Sequence, residues 1–122
     1  DTPTGKAGPN GRTVIMDSIL ARHIKSFGEI DVAIIEDVHS MPRDGSSSAF
    51  KFGTAFGIIR GIVAANEIRT VYVTPAKWKG MLGLVGKDKD ASRVKVLELF
   101  PRYANLFQRK MDHGRAEALL LA

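Results

Sequence analysis

Two short runs rich in β-branched residues, Asp31-Val32-Ala33-Ile34-Ile35-Glu36 and Thr70-Val71-Tyr72-Val73, frame one long stretch with helical spacing, and this alternation constrains the fold most. The four apolar residues before Glu36 have the pattern of a strand buried on both faces. A strand, a helix and a second strand in succession pair in parallel, because the helix carries the chain back across the sheet. Between the strands, Ser47 or Ser48 can cap a helix reaching Asn66. Phe52, Ala55, Phe56, Ile59, Ile62 and Val63 recur on one side of it, the spacing of a core-facing stripe. The same helix carries Gly53, Gly57 and Gly61, each about 1 kcal/mol less favourable than Ala in a helix interior. A glycine ridge admits a second backbone, either this chain's own sheet or a partner subunit's helix. Packing within the chain is the expectation.

The remaining elements follow from breakers and caps. Residues 1–12 are rich in Gly and Pro and lack apolar periodicity, so they are expected to be irregular. Thr13 can cap a helix over 13–26, with Val14, Ile15, Ile19, Leu20 and Ile24 as its apolar stripe and Gly28 after it. Residues 38–48 form a loop of turn formers just after Glu36. Thr74 and Pro75 start a short helix bearing Lys77, Trp78 and Lys79. Residues 86–90 break the chain before a helix over 91–100, which Pro101 ends. A last helix starts near Asp112. The fold class is α/β, in a single domain of 122 residues.

With 18 Lys and Arg against 13 Asp and Glu, the net charge of +5 favours a polyanionic partner, nucleic acid first. The absence of cysteine excludes disulfides, thiolate zinc sites and cysteine nucleophiles. Uninterrupted apolar stretches fall short of the roughly 20 residues that cross a bilayer, so no membrane partner is expected. Gly83-Leu84-Val85-Gly86-Lys87 lacks the spacing and trailing hydroxyl of a phosphate loop and reads as a turn.

Metal-capable groups concentrate in Asp112-His113-Gly114-Arg115-Ala116-Glu117-Ala118. His113 and Glu117 stand four apart, so on a helix they share a face, and imidazole with carboxylate suits Mg²⁺, Mn²⁺ or Zn²⁺. The same residues also fit a plain helix start, with Asp112 as N-cap and Glu117 solvated. Glu36 closes its strand at the carboxyl end, where ligands of open α/β sheets gather, or it simply reaches water with Asp37.

Four ordered pieces, Ala33-Ile34-Ile35-Glu36, Thr74-Pro75-Ala76-Lys77-Trp78-Lys79, Gly86-Lys87-Asp88-Lys89 and residues 112–118, make the chain resemble a RuvC-like Holliday-junction resolvase of phage or prophage type, within the RNase H-like superfamily. The resemblance implies an RNase H-like mixed sheet flanked by helices. It also implies a homodimer that cuts branched DNA with two Mg²⁺ or Mn²⁺ ions, in the cytoplasm of a bacterial or phage-infected cell. By position, Glu36, His113 and Glu117 resemble the catalytic set, with Asp112 alongside them as a metal ligand. Lys79 and Lys89 resemble basic residues near the scissile backbone, and Lys87 beside them is a further DNA-binding candidate. His39 lies where relatives place an aromatic at the junction centre, and Arg43 belongs to the same DNA-facing loop.

Glu36 and Glu117 are then expected to approach one another at one end of the sheet. The family's opening strand, ending in an aspartate motif, has no counterpart in residues 1–12, so the chain is expected to be incomplete at both ends. Two other readings fit the same residues: a nucleic-acid-binding remnant that does not cut, and a self-associating structural module built on the glycine ridge.

Overall fold

The computed structural model describes residues 2–8 and 11–122. The chain is α/β and divides into two compact units, the first ending at Val71 and the second running over Tyr72–Ala122. Asp1 lies outside the described residues.

The first unit opens with a hairpin where irregular chain is expected. β1 (Thr4–Ala7) pairs antiparallel with β2 (Arg12–Ile15) in the register Thr4 to Ile15 through Ala7 to Arg12. Its turn depends on Gly8 and Gly11, both at positive φ (73° and 55°), which residues with a Cβ rarely adopt. The Lys6 ammonium donates across the strands to the Thr13 hydroxyl at 2.8 Å. Residues 13–15, read as the start of a helix, therefore belong to β2. α1 (Asp17–Ser26) begins only after Met16, without a Thr13 cap.

β3 (Ala33–Glu36), α2 (Ser46–Ala65) and β4 (Thr70–Val73) fall where the sequence places them, and β3 and β4 form their own two-stranded sheet with parallel strands. The Ala33 N–H donates to the Arg69 carbonyl at 2.8 Å. Among the described residues the strands thus make two small sheets rather than one mixed sheet. Gly45, not Ser47 or Ser48, is the N-cap of α2.

α2 departs most from expectation. Only Val63 is buried along its length, and Phe52, assigned to the core stripe, is 43% exposed. A Cβ added at Gly53, Gly57 or Gly61 would meet nothing within 4 Å, so the glycine ridge does not pack on the described residues of this chain. By length and composition α2 is long and apolar enough to cross a membrane, although its uninterrupted apolar runs are short, as expected. α2 is 20 residues long with a mean hydropathy of 1.2, although Lys51 and Arg60 lie within it.

The second unit is helical. α3 (Pro75–Met81) starts after Thr74 with Pro75 in its first turn. Asp88 initiates α4 (Asp90–Leu99), its carboxylate accepting from the Asp90 and Ala91 N–H groups at 2.8 and 3.1 Å. Pro101 ends α4 and begins a 3₁₀ helix (Pro101–Leu106), followed by a second 3₁₀ turn (Lys110–Asp112) and α5 (His113–Leu121). α4 and α5 pack through Val96, Phe107 and Ala116, with Leu97, Phe100, Leu119 and Leu120 around them. Ala116, fully buried, has only a methyl group at this contact, which lets the two helices approach closely.

Candidate functional site

α4 and α5 pack so that the acid of the last helix meets polar groups from two earlier elements of the same unit. Glu117 Oε1 lies 3.1 Å from Lys79 Nζ, contributed by α3. Ser92, buried on α4, donates its hydroxyl to the same oxygen at 3.4 Å. The Lys79 ammonium also sits 5.1 Å from the ring centroid of buried Trp78, so an apolar wall backs the charge. Both polar contacts therefore fall on one carboxylate oxygen.

His113 stands one turn before Glu117. Its Nδ1 is 3.1 Å from the Lys110 carbonyl oxygen. A carbonyl can only accept, so a hydrogen bond here uses Nδ1–H, and in the neutral ring that tautomer leaves the lone pair on Nε2, as a metal-ligating imidazole requires.

Asp112 is placed differently from the expectation of a metal ligand. It is buried, and its carboxylate receives Arg109 Nη2 at 2.8 Å and the Arg109 backbone N–H at 3.0 Å. Arg115 Nη1 lies 3.9 Å from the same carboxylate. The hydrogen bond from the Arg109 side chain holds the Asp112 carboxyl below its ordinary value of 3.8, with the Arg109 N–H adding to the effect. Guanidinium groups thus take the position a cation would need. The carboxylate anchors the 3₁₀ turn to α5 and does not face His113 and Glu117 as a third donor. Among the described residues, no group of three or more His, Asp or Glu side chains is close enough to hold a metal ion by itself.

A second pair repeats this chemistry on α4. Asp90 accepts from Arg93 Nε at 2.6 Å and Nη2 at 2.8 Å, and Arg93 Nη1 reaches the Phe107 carbonyl at 3.2 Å. The Arg93 hydrogen bond lowers the Asp90 pKa. Both carboxylates titrate lower in the folded chain than unfolded. Their stabilisation is present above about pH 4 and is lost as pH falls through the depressed folded values. The thermal midpoint is expected to hold steady from about pH 8 to about pH 5 and to fall below about pH 4. Asp112→Asn should be less stable at neutral pH and lose less on acidification. A variant whose acid decline matches the parent's would remove Asp112 from this role.

The other proposed residues lie as follows. Glu36 ends β3 in the first unit and is half-buried. His39 and Arg43 are exposed in the loop before α2, whose turn Asp44 closes by accepting from the Met41 N–H at 2.7 Å. Lys89 is exposed at the start of α4. Lys87 lines an open cleft of about 390 Å³ with Asp88, Asp90, Lys95 and Glu98.

The sequence reading missed Ser92 altogether and missed the arginine partners of Asp90 and Asp112. The signal for the last two was present, since Asp90 with Arg93 and Arg109 with Asp112 both stand at i and i+3.

The chain matches no known family profile. It does match one resolvase. Over 104 residues, 84% of this chain, it is 36% identical to the chloroplastic Holliday junction resolvase MOC1 of Chlamydomonas reinhardtii. The chain spans 11% of that protein's length. This aligned region covers most of the segments singled out above for their chemistry.

Proposed function

We propose that this chain is a RuvC-like nuclease domain of the RNase H-like kind, a metal-dependent endodeoxyribonuclease that hydrolyses phosphodiesters in four-way or branched DNA. The 36% identity to a Holliday junction resolvase across 84% of the chain carries this reading. The net charge of +5 supports a polyanionic substrate.

Glu117 and the Nε2 of His113 are the candidate ligands for Mg²⁺ or Mn²⁺ in the second unit, and Glu36 is the candidate in the first. Two donors on one helix face fit a hard cation that keeps several waters and takes further oxygens from a substrate phosphate. When bound, such ions supply the charge that activates water and stabilises the leaving oxygen. The chain's own residues hold and orient. Ser92 fixes one oxygen of Glu117, the Lys110 carbonyl fixes the His113 ring, and Lys79, once released from Glu117, neutralises a backbone phosphate. Lys87, Lys89, Arg43 and His39 complete the DNA-facing set. The exposed face of α2, with its glycine ridge, is the proposed contact for a second copy, as a homodimer requires.

Incubated with a labelled four-way junction and Mn²⁺, the chain is expected to bind the junction and to nick it only weakly, with a chelator suppressing that nicking. Junction binding without any scission would favour the non-cutting remnant. Equal affinity for the junction and a linear duplex of the same sequence would overturn the reading. Lys79→Ala and Lys89→Ala are each expected to lower the slope of log affinity against log salt by about 0.9, one released counterion apiece.

A further inference from the structure

We propose that residues 101–115 form an additional phosphate-binding face for nucleic acid, with Arg102, Arg109 and Lys110 as its contacts. The inference deepens the junction-nuclease reading and rests on it. No acidic residue occurs from Phe100 to Met111, whereas three cations do, and every residue from Pro101 to Met111 except Phe107 is exposed. The carboxylates nearest this face are already paired: Asp90 with Arg93, and Asp112 with Arg109 and Arg115. Among the described residues Arg102 and Lys110 make no ion pair, and the one acid within electrostatic reach of Lys110, Asp90, is already held by Arg93.

Geometry adds to charge. Asp112 is buried, yet it holds Arg109 by Nε and Nη2 while the Arg109 side chain stays 65% exposed. This fixes one edge of the guanidinium plane and turns the remaining donors outward. An arginine held this way loses little rotamer freedom when it meets a phosphate oxygen. Arg102 lies 4.7 Å from the ring centroid of Tyr103, a stacked pair that suits a nucleic acid, whose bases and phosphates lie side by side. Arg115 Nη1 donates to the Leu106 carbonyl at 3.4 Å, tying the first 3₁₀ helix to α5, so the face is braced at both ends. An acidic protein surface would use the charge but leave the stacked pair without a function.

The test measures binding to a synthetic four-way DNA junction across salt concentrations, with Arg102→Gln, Arg109→Gln and Lys110→Gln combined. The expected result is a slope of log affinity against log salt that is shallower by about 2 to 3, and binding at low salt weaker by about tenfold or more. Circular dichroism and the melting temperature identify a variant that has lost its fold. In that case Arg102→Gln with Lys110→Gln, which leaves the Asp112 pair intact, is expected to shift the slope by about 2. A control combining Arg22→Gln, Lys25→Gln and Arg69→Gln removes the same charge from the first unit and should leave the slope unchanged. A parental slope in the 101–115 variant, with binding itself intact, overturns this face alone and leaves the junction reading standing. An equal drop in the control reduces the effect to net charge and also overturns it. Failure of the parent chain to bind DNA overturns both.

Discussion

Under the proposed nuclease reading, replacing Glu117 by Gln is expected to lower metal-stimulated junction cleavage by about 10²–10³-fold, while leaving the fold nearly as stable as before. The two effects separate because they come from different properties of one side chain. As a structural group, Glu117 makes an ion pair with Lys79 whose side chains are 32% and 29% exposed, and pairs so close to solvent contribute only about 0–1 kcal/mol. Gln keeps the volume and can still accept from the Ser92 hydroxyl, so the packing of α5 on α4 is undisturbed. In the proposed role of cation ligand, however, the neutral amide is a poor substitute for a carboxylate, because Mg²⁺ and Mn²⁺ select charged oxygen donors. Mn²⁺ titration followed by paramagnetic broadening of α5 resonances gives a second readout that needs no turnover. Affinity is expected to fall on the order of 10²-fold. A variant that cleaves like the parent, or one that loses melting temperature as steeply as activity, would make Glu117 a structural partner of Lys79 and nothing more.

That distinction was only half legible in the sequence, and the reason is physical. Periodicity and caps specify elements, so β3, α2, β4, α3 and α4 fall close to their sequence-derived bounds. The hairpin of residues 4–15 was missed because Thr4–Ala7 has no apolar alternation. It is set by the backbone freedom of Gly8 and Gly11, which a hydrophobicity pattern does not register. The stripe on α2 was recognised and its burial was not. A period identifies the apolar face of a helix and says nothing about what covers it, and most of that face is uncovered by the described residues.

The candidate site shows the same limit. Spacing alone sets His113 and Glu117 on one face of α5, since i and i+4 are neighbours on any helix. Lys79 and Glu117 lie far apart in sequence and meet only because α4 and α5 carry the chain back past α3, so no local pattern announces the pair. The pairing of Asp112 is hidden for a different reason. A carboxylate beside an imidazole suggests a metal, but Arg109 three residues earlier reaches the acid without any long-range contact. Its Nε and Nη2 donors reach both carboxylate oxygens.

Phe107→Ala is expected to be the most destabilising single substitution in the second unit, by about 3–5 kcal/mol. Phe107 is 5% exposed and packs with Val96 and Ala116, both fully buried, so truncation leaves a cavity where α4, α5 and the 3₁₀ segment meet. Two of the three core residues are already small and cannot expand to fill it, which places the loss toward the upper end of that range. Against total stabilities of about 5–15 kcal/mol for a folded domain, this is a large share. The Phe107 carbonyl, which accepts from Arg93, is a backbone atom and survives the change, so the loss measures packing and not the hydrogen bond. Phe107→Leu should recover most of the stability, since it retains most of the buried volume. Phe50→Ala, at a side chain 77% exposed, should lie within about 0.5 kcal/mol of the parent. The consequence for the site is direct: Ser92 and Glu117 sit on the two helices that this cluster joins, so loosening it separates the hydroxyl from the carboxylate it orients. Denaturant unfolding of the three variants decides the matter. Comparable losses for Phe107→Ala and Phe50→Ala would mean that α4 and α5 are not held together by this cluster, and the rigidity assigned to Glu117 would have to come from elsewhere.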